Sequence, residues 1–145
     1  MTPYIPKKVR QQVIERAKYR CEYCLIPEQF LATYFHIDHI KSLKHCGNSD
    51  FNNLVYAYSH CNQHKGSDVG TFDDDDGEIL IQFFNPRRDT WINHFEAVEG
   101  EIVALSAIGQ ATVTILNFNQ PERLILRREL ALLGLYPSRA NYKIL

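Results

Sequence analysis

The chain has 145 residues, of which 45% are hydrophobic and 23% are charged, a composition typical of one folded domain rather than a disordered chain. No apolar run approaches the ~18–20 residues that a membrane span needs, and the N-terminal segment lacks the apolar core of a secretory signal, so we expect a cytoplasmic protein with no membrane partner. The net charge is −1. Residues 1–67 contain nine basic and five acidic residues, whereas residues 68–145 contain seven basic and twelve acidic residues. The first half is therefore the part that could face a polyanion.

The first half of the chain predicts a small mixed unit. In chain order its elements are a helix, two short strands and a short helix, over residues 7–20, 35–40, 53–57 and 61–65. Apolar residues recur with helical spacing behind Pro6, a residue that suits the first turn of a helix. Gly66 is expected to end the short helix, since glycine is common just beyond a helix C-terminus.

The second half predicts a strand, a helical turn, a hairpin and a final helix. These elements cover residues 79–84, 91–95, 101–106 paired with 111–118, and 121–133. An acidic run, residues 73–76, precedes the first strand and is typical of a solvated turn. Asn119 or Gln120 precedes the final helix and Gly134 follows it, as expected for its two caps.

Four short motifs between residues 21 and 66 carry the chemistry. They are Cys21-Glu22-Tyr23-Cys24, His36-Ile37-Asp38-His39-Ile40, Asn52-Asn53-Leu54-Val55 and Cys61-Asn62-Gln63-His64-Lys65-Gly66. Asp38 and Asn62 would offer a carboxylate and an amide oxygen to a hard divalent cation that keeps open positions for water and phosphate. The imidazole of His39 can take a proton from water near neutral pH. Together these groups suit metal-assisted hydrolysis of a phosphodiester.

In order and spacing these motifs resemble the HNH endonuclease family, which is built on a ββα-metal finger. The resemblance covers residues 21–66 and implies a DNA substrate cleaved to a 5′-phosphate and a 3′-hydroxyl. It implies that His39 is the general base and that Asn53 is the central asparagine that holds the histidine-bearing loop. It also implies that Asp38 and Asn62 bind the catalytic cation, Mg²⁺ or another divalent ion.

Basic residues are the predicted contacts with DNA. Lys65 matches the basic residue of the family's short helix. Arg87 and Arg88 lie in a tail, Phe84-Asn85-Pro86-Arg87 followed by Trp91 and His94-Phe95, that resembles an extension of one bacterial subgroup of the family. These two arginines could contact phosphate or could belong to a solvated face.

The second cysteine knuckle departs from the family pattern. The family's Cys-x-x-Cys would fall at residues 58 and 61, and residue 58 is Tyr58. A structural zinc normally has four Cys or His ligands. Three cysteines of the pattern remain: Cys21, Cys24 and Cys61. The fourth ligand could be His36, His60 or Cys46, or the zinc could be lost and the three thiols could pack as small apolar groups.

The sequence therefore predicts one α+β domain over residues 1–145, in which an N-terminal helix precedes an HNH core at 21–67 and a hairpin-and-helix extension follows at 79–145. The predicted function is metal-dependent DNA endonuclease. Two alternatives remain open, a DNA-binding module with a vestigial HNH site and a structural metal finger that binds protein. A chain this short could require a partner or a second copy, as a homodimer, for specificity.

Overall fold

The computed structural model describes residues 3–29 and 31–137, so the last part of the predicted extension, residues 138–145, lies outside the described residues. The described elements are α1 (Lys7–Arg16), β1 (Phe35–His39), β2 (Leu54–Tyr58), α2 (Ser59–Lys65), β3 (Gly70–Phe72), β4 (Leu80–Gln82), β5 (Phe95–Val98), β6 (Glu101–Ala104), α3 (Ala107–Ile115) and α4 (Pro121–Leu132). They pair into two-stranded antiparallel sheets, β1–β2, β3–β4 and β5–β6. Helices beside small antiparallel sheets confirm the predicted α+β class. In the described ranges, no helix has the length and apolar character needed to cross a membrane.

Strands β1 and β2 form a hairpin that continues directly into α2, and residues 35–65 are called the ββα unit below. The register pairs Asp38 with Val55 and His39 with Leu54. The loop between the strands therefore begins and ends next to His39, and its conformation decides how that side chain is held.

Strand β2 is buried on both faces. Leu54 and Tyr56 pack against α1, whereas Val55 and Ala57 belong to a larger core that the extension completes. This alternation is the two-residue period expected of a strand. The ββα unit is therefore enclosed between the N-terminal helix and the extension.

Buried hydrogen bonds tie the extension to the first cysteine knuckle. Trp91 Nε1 donates to the carbonyl oxygen of Tyr23 at 2.8 Å, and the Tyr136 hydroxyl donates to the carbonyl oxygen of Cys24 at 2.7 Å. Trp91 also packs on Phe95, with ring centroids 5.0 Å apart. The backbone of the knuckle is thus satisfied by side chains distant in sequence.

The predicted hairpin of strands 101–106 and 111–118 is wrong, because residues 107–115 form helix α3. The observed hairpin lies earlier and pairs β5 with β6. Ser106 caps α3, since its hydroxyl accepts a hydrogen bond from the Gly109 N–H at 3.0 Å. The β-branched residues of α3 favour a strand by local propensity, and tertiary packing overrides that preference.

Other predicted boundaries shift by a few residues. Helix α1 ends at Arg16 rather than at residue 20, because Lys18 and Tyr19 have positive φ angles of 57° and 60°. The strand predicted over 79–84 shortens to β4 and pairs with β3, an element without a clear sequence signal. Helix α4 lies where the sequence predicts it and is followed by Gly134 with φ 74°.

Candidate functional site

Asp38 and His39 end strand β1 at the rim of an open depression of about 430 Å³. The loop after β1 and the residues that follow α2 supply the rest of its lining, including Ser42, Gly66 and Ser67. The Asp38 side chain is 18% exposed, which leaves its carboxylate accessible from the depression. The structure thus brings an adjacent carboxylate and imidazole to one solvent-accessible surface.

The loop after β1 holds the ring of His39. Its Nε2 lies 2.9 Å from the hydroxyl oxygen of Ser49. The hydrogen bond made by one imidazole nitrogen sets the tautomer of the ring. An Nε2–H that donates to Ser49 leaves the lone pair of Nδ1 available to accept a proton.

Asn53 anchors this loop through its side-chain amide. Its Oδ1 accepts a hydrogen bond from the Lys41 N–H at 2.9 Å, and its Nδ2 donates to the carbonyl oxygens of Lys41 at 2.9 Å and Asn48 at 2.7 Å. One side chain therefore joins both arms of the loop and fixes the segment that carries Ser49. This is the loop-holding position that the sequence motif assigns to Asn53.

The same loop requires a glycine at residue 47. A Cβ on Gly47 would lie 1.8 Å from the carbonyl oxygen of Lys41, a backbone atom that cannot swing away. The close approach of these two segments is what makes the loop compact beside His39.

Lys65 lies inside the site rather than on its surface. Its side chain is 2% exposed, and its Nζ donates to Asp38 Oδ2 at 3.3 Å and to the carbonyl oxygen of His39 at 2.9 Å. A buried ammonium needs such partners, because desolvation without them is costly. A contact between Lys65 and a DNA backbone would require the amine to leave both of them.

Asn62 lies on α2 one turn before Lys65, so helical spacing places the two residues on the same face. Its side chain is half-buried. With the Asp38 carboxylate it offers only oxygen donors, the atoms that Mg²⁺ prefers. Asp38 lines the depression, whereas the described lining does not include Asn62. The donor chemistry of the two side chains fits a hard divalent cation.

The three remaining knuckle cysteines form a second, buried cluster. The sulfur atoms of Cys21, Cys24 and Cys61 lie within 4.8 Å of one another, a spacing that could hold a metal ion. Across residues 3–29 and 31–137, no fourth His, Cys, Asp or Glu joins the group. His36 and Cys46 are exposed, and the ring of His60 stacks on Tyr58 with centroids 4.9 Å apart.

A guanidinium from α4 lies against this cluster. Arg123 Nη2 donates to Cys61 Sγ at 2.8 Å. Burial raises the pKa of Cys61 to about 12. For Cys24, hydrogen bonds from Cys21 and Cys61 outweigh the effect of burial, and the charges of Arg123 and Arg127 lower its pKa further, to well below the ordinary value. One sulfur atom of the cluster, Cys61 Sγ, is therefore in hydrogen-bond contact with a buried cation.

The two predicted phosphate-contacting arginines have different surroundings. Arg87 forms an ion pair with the buried carboxylate of Glu22, which also accepts the Tyr56 N–H at 2.9 Å. The Arg88 side chain is 52% exposed and lines a depression of about 260 Å³ together with Lys41. Solvent can therefore reach Arg88 more readily than Arg87, whose side chain is 16% exposed.

The sequence motifs assign no role to three residues that the structure places at these sites: Ser49, Glu22 and Arg123. Ser49 lies in a loop whose path the sequence does not specify. The sequence does contain a signal that Arg123 is buried, because this residue lies on the same face of α4 as Arg127 and Leu130. Charged residues in the apolar stripe of a helix indicate a buried polar partner.

Comparison with known families agrees with this geometry. Residues 21–68 match the family model described as HNH endonuclease, a family that binds a divalent metal. The match runs from the first cysteine knuckle to just beyond α2, and the extension lies outside it. No curated protein and no solved structure gives a significant match to the chain.

Proposed function

We propose that this protein hydrolyses phosphodiester bonds of DNA with a divalent cation, a function supported by the match of residues 21–68 to the HNH endonuclease family model. The arrangement of His39 is the observation that supports this most directly. His39 lines the same open depression as Asp38, and its ring is held by Ser49, in a loop that Asn53 anchors. An imidazole held through one ring nitrogen at the rim of an open depression suits general-base chemistry.

In the proposed reaction, Nδ1 of His39 takes a proton from the water that attacks phosphorus, and the P–O3′ bond breaks to leave a 5′-phosphate and a 3′ oxygen that takes a proton from solvent. In the tautomer that this role requires, Nε2–H donates to the Ser49 hydroxyl oxygen, 2.9 Å away. The anchored loop holds the ring in one orientation before substrate binds. Such preorganisation matters because a misplacement of about 1 Å can cost about 100-fold in rate.

Asp38 and Asn62 are the residues that would hold the cation. When bound, it supplies Lewis-acid stabilisation of the negative charge that develops on the phosphate. Lys65 acts as a positioning residue, since its ammonium contacts both the Asp38 carboxylate and the His39 carbonyl oxygen. It fixes two consecutive residues of β1 at the point where they meet the depression.

DNA would reach the site along the depression that borders it. Arg88, Lys41 and His45 line this surface, and Lys65 lies at its base. Exposed cations beside an open site suit the phosphate backbone, to which Arg and Lys bind without sequence preference. Both arginines form ion pairs, Arg87 with Glu22 and Arg88 with Asp89, and the greater exposure of the Arg88 side chain, 52% against 16%, favours it as the contact with phosphate.

Cleavage of supercoiled plasmid by matched histidine variants tests the proposal. His39→Ala should lose about 10²–10⁴-fold in rate, the usual contribution of a general base. His36→Ala is the control, because His36 is an exposed histidine of the same strand that lines neither depression. Both variants should melt at the wild-type temperature. Wild-type cleavage by His39→Ala, or undiminished cleavage in EDTA, would contradict the proposed mechanism.

A further inference from the structure

Arg123 is a buried cation whose hydrogen bonds go to the backbone and to a sulfur atom. Its side chain is 2% exposed. Nη1 donates to the carbonyl oxygens of Leu116 at 2.6 Å and Asn117 at 3.0 Å, and Nη2 donates to Cys61 Sγ at 2.8 Å. The ion pairs found among the described residues do not include one between Arg123 and a carboxylate. Burying a guanidinium is costly unless its N–H groups find acceptors, and Cys61 Sγ is the acceptor of Arg123 on the side of the sulfur cluster.

A second buried arginine lies one turn further along α4. Arg127 is fully buried, and it donates to the Gly100 carbonyl oxygen at 2.7 Å and to Asn119 Oδ1 at 2.8 Å, both uncharged acceptors. The two arginines share one buried face of α4, and Arg123 donates from that face to Cys61 Sγ of the sulfur cluster.

The sulfur cluster lacks what a closed tetrahedral zinc site requires. Such a site takes four Cys or His ligands, and at the position of the missing cysteine the chain has Tyr58. The ring of Tyr58 packs against Phe35 at 5.5 Å and lies below the guanidinium of Arg123 at 5.7 Å. The side of the cluster next to Cys61 is thus occupied by a cation that cannot itself coordinate metal.

We propose that Arg123 replaces the structural metal of the finger. Its guanidinium donates a charged hydrogen bond to Cys61 Sγ and so joins the sulfur cluster to α4, which is the structural role that a zinc ion has in a four-cysteine finger. This proposal does not depend on the catalytic cation or on the proposed nuclease activity, because the sulfur cluster is separate from the site of Asp38 and His39.

Metal analysis of the full-length protein is the first test. Protein purified from zinc-supplemented medium should contain no stoichiometric metal that depends on Cys61, and a chelator should leave its melting temperature unchanged. One zinc per chain that persists in Asp38→Ala but disappears in Cys61→Ser would overturn the proposal, because it would place a metal in the sulfur cluster.

Arginine variants of α4 provide the second test. Arg123→Ala should melt about 10 °C lower, since it removes the hydrogen bonds to Cys61 Sγ and to the carbonyl oxygens of Leu116 and Asn117 from a buried site. Arg123→Lys should recover part of that loss. Arg128→Ala is the matched control, because Arg128 is exposed on the same helix and its loss should leave the melting temperature unchanged. Equal stability of the two alanine variants would overturn the proposal, and failure of only Arg123→Ala to fold would support it.

The third test restores a four-cysteine zinc site in the sulfur cluster. The double variant Tyr58→Cys/Arg123→Ala regains four cysteines and removes the competing cation, so it should bind one zinc per chain. Tyr58→Cys alone should bind zinc more weakly, because Arg123 still contacts Cys61. Equal zinc affinity of the single and double variants would show that Arg123 does not occupy the place of the metal.

Discussion

Asn53→Ala should release the loop that holds His39 while leaving the core intact. The Asn53 side chain makes three hydrogen bonds, of 2.9, 2.9 and 2.7 Å, to the backbone of Lys41 and Asn48. At about 1 kcal/mol each, they contribute about 3 kcal/mol to the closed loop. Because Lys41 and Asn48 are exposed, water replaces part of these bonds, and we expect a loss of about 2 kcal/mol.

The lost hydrogen bonds stabilise the closed conformation of the loop rather than the buried core. A change of about 2 kcal/mol corresponds to a factor of about 30 in an equilibrium constant, so cleavage should slow by up to about 30-fold as the contact between His39 and Ser49 becomes less populated. Single-turnover cleavage of a plasmid measures the rate, and urea unfolding measures the stability of the whole domain.

The neighbouring asparagine supplies the control. Asn52 is exposed and takes no part in the anchor described for Asn53, so Asn52→Ala should cleave at the wild-type rate. Equal rates for the two variants would refute the reasoning. A rate loss fully explained by global unfolding of Asn53→Ala would refute it as well.

Three further changes probe the loop, the DNA contact and the extension. Gly47→Ala should lower the cleavage rate by a larger factor than it lowers the equilibrium constant of folding, because its Cβ would lie 1.8 Å from the Lys41 carbonyl oxygen. An unchanged cleavage rate would show that the loop can adjust. Arg88→Ala should lower the slope of log binding constant against log salt by about 1, as expected for one phosphate contact, whereas Arg128→Ala should not. Truncation after Ser67 should abolish the cooperative melt even with zinc present; a stable, active fragment would contradict the role given to the extension.

The ordered motifs explain why the arrangement of Asp38, His39 and Asn53 could be anticipated from sequence, whereas helix α3 of the extension could not. These three residues lie on one strand and at the end of the loop that follows it, so local spacing carries most of the information about their arrangement. Lys65 shows the limit of that reasoning, since a lysine on a short helix is usually exposed and this one is buried against Asp38.

The strand predicted over residues 111–118, which overlap helix α3 in the structure, is wrong for a different reason. Residues 111–118 are rich in β-branched residues, so their local preference is for a strand. The decisive interactions involve other segments: Thr112 Oγ1 accepts the Phe84 N–H at 2.8 Å, and a Cβ on Gly109 would lie 2.1 Å from the His94 carbonyl oxygen. Such long-range contacts leave no periodic signal in the sequence.

The extension gives the finger a source of stability that the motif itself does not contain. A unit of about 45 residues is small for an independent hydrophobic core and usually needs a metal or another staple. Here Trp91 and Tyr136 satisfy carbonyl groups of the first cysteine knuckle, and Arg123 donates to Cys61 Sγ on α2. Because these contacts lie away from the depression that Asp38 and His39 line, changes in the extension should alter the stability of the ββα unit before they alter the proposed chemistry of His39.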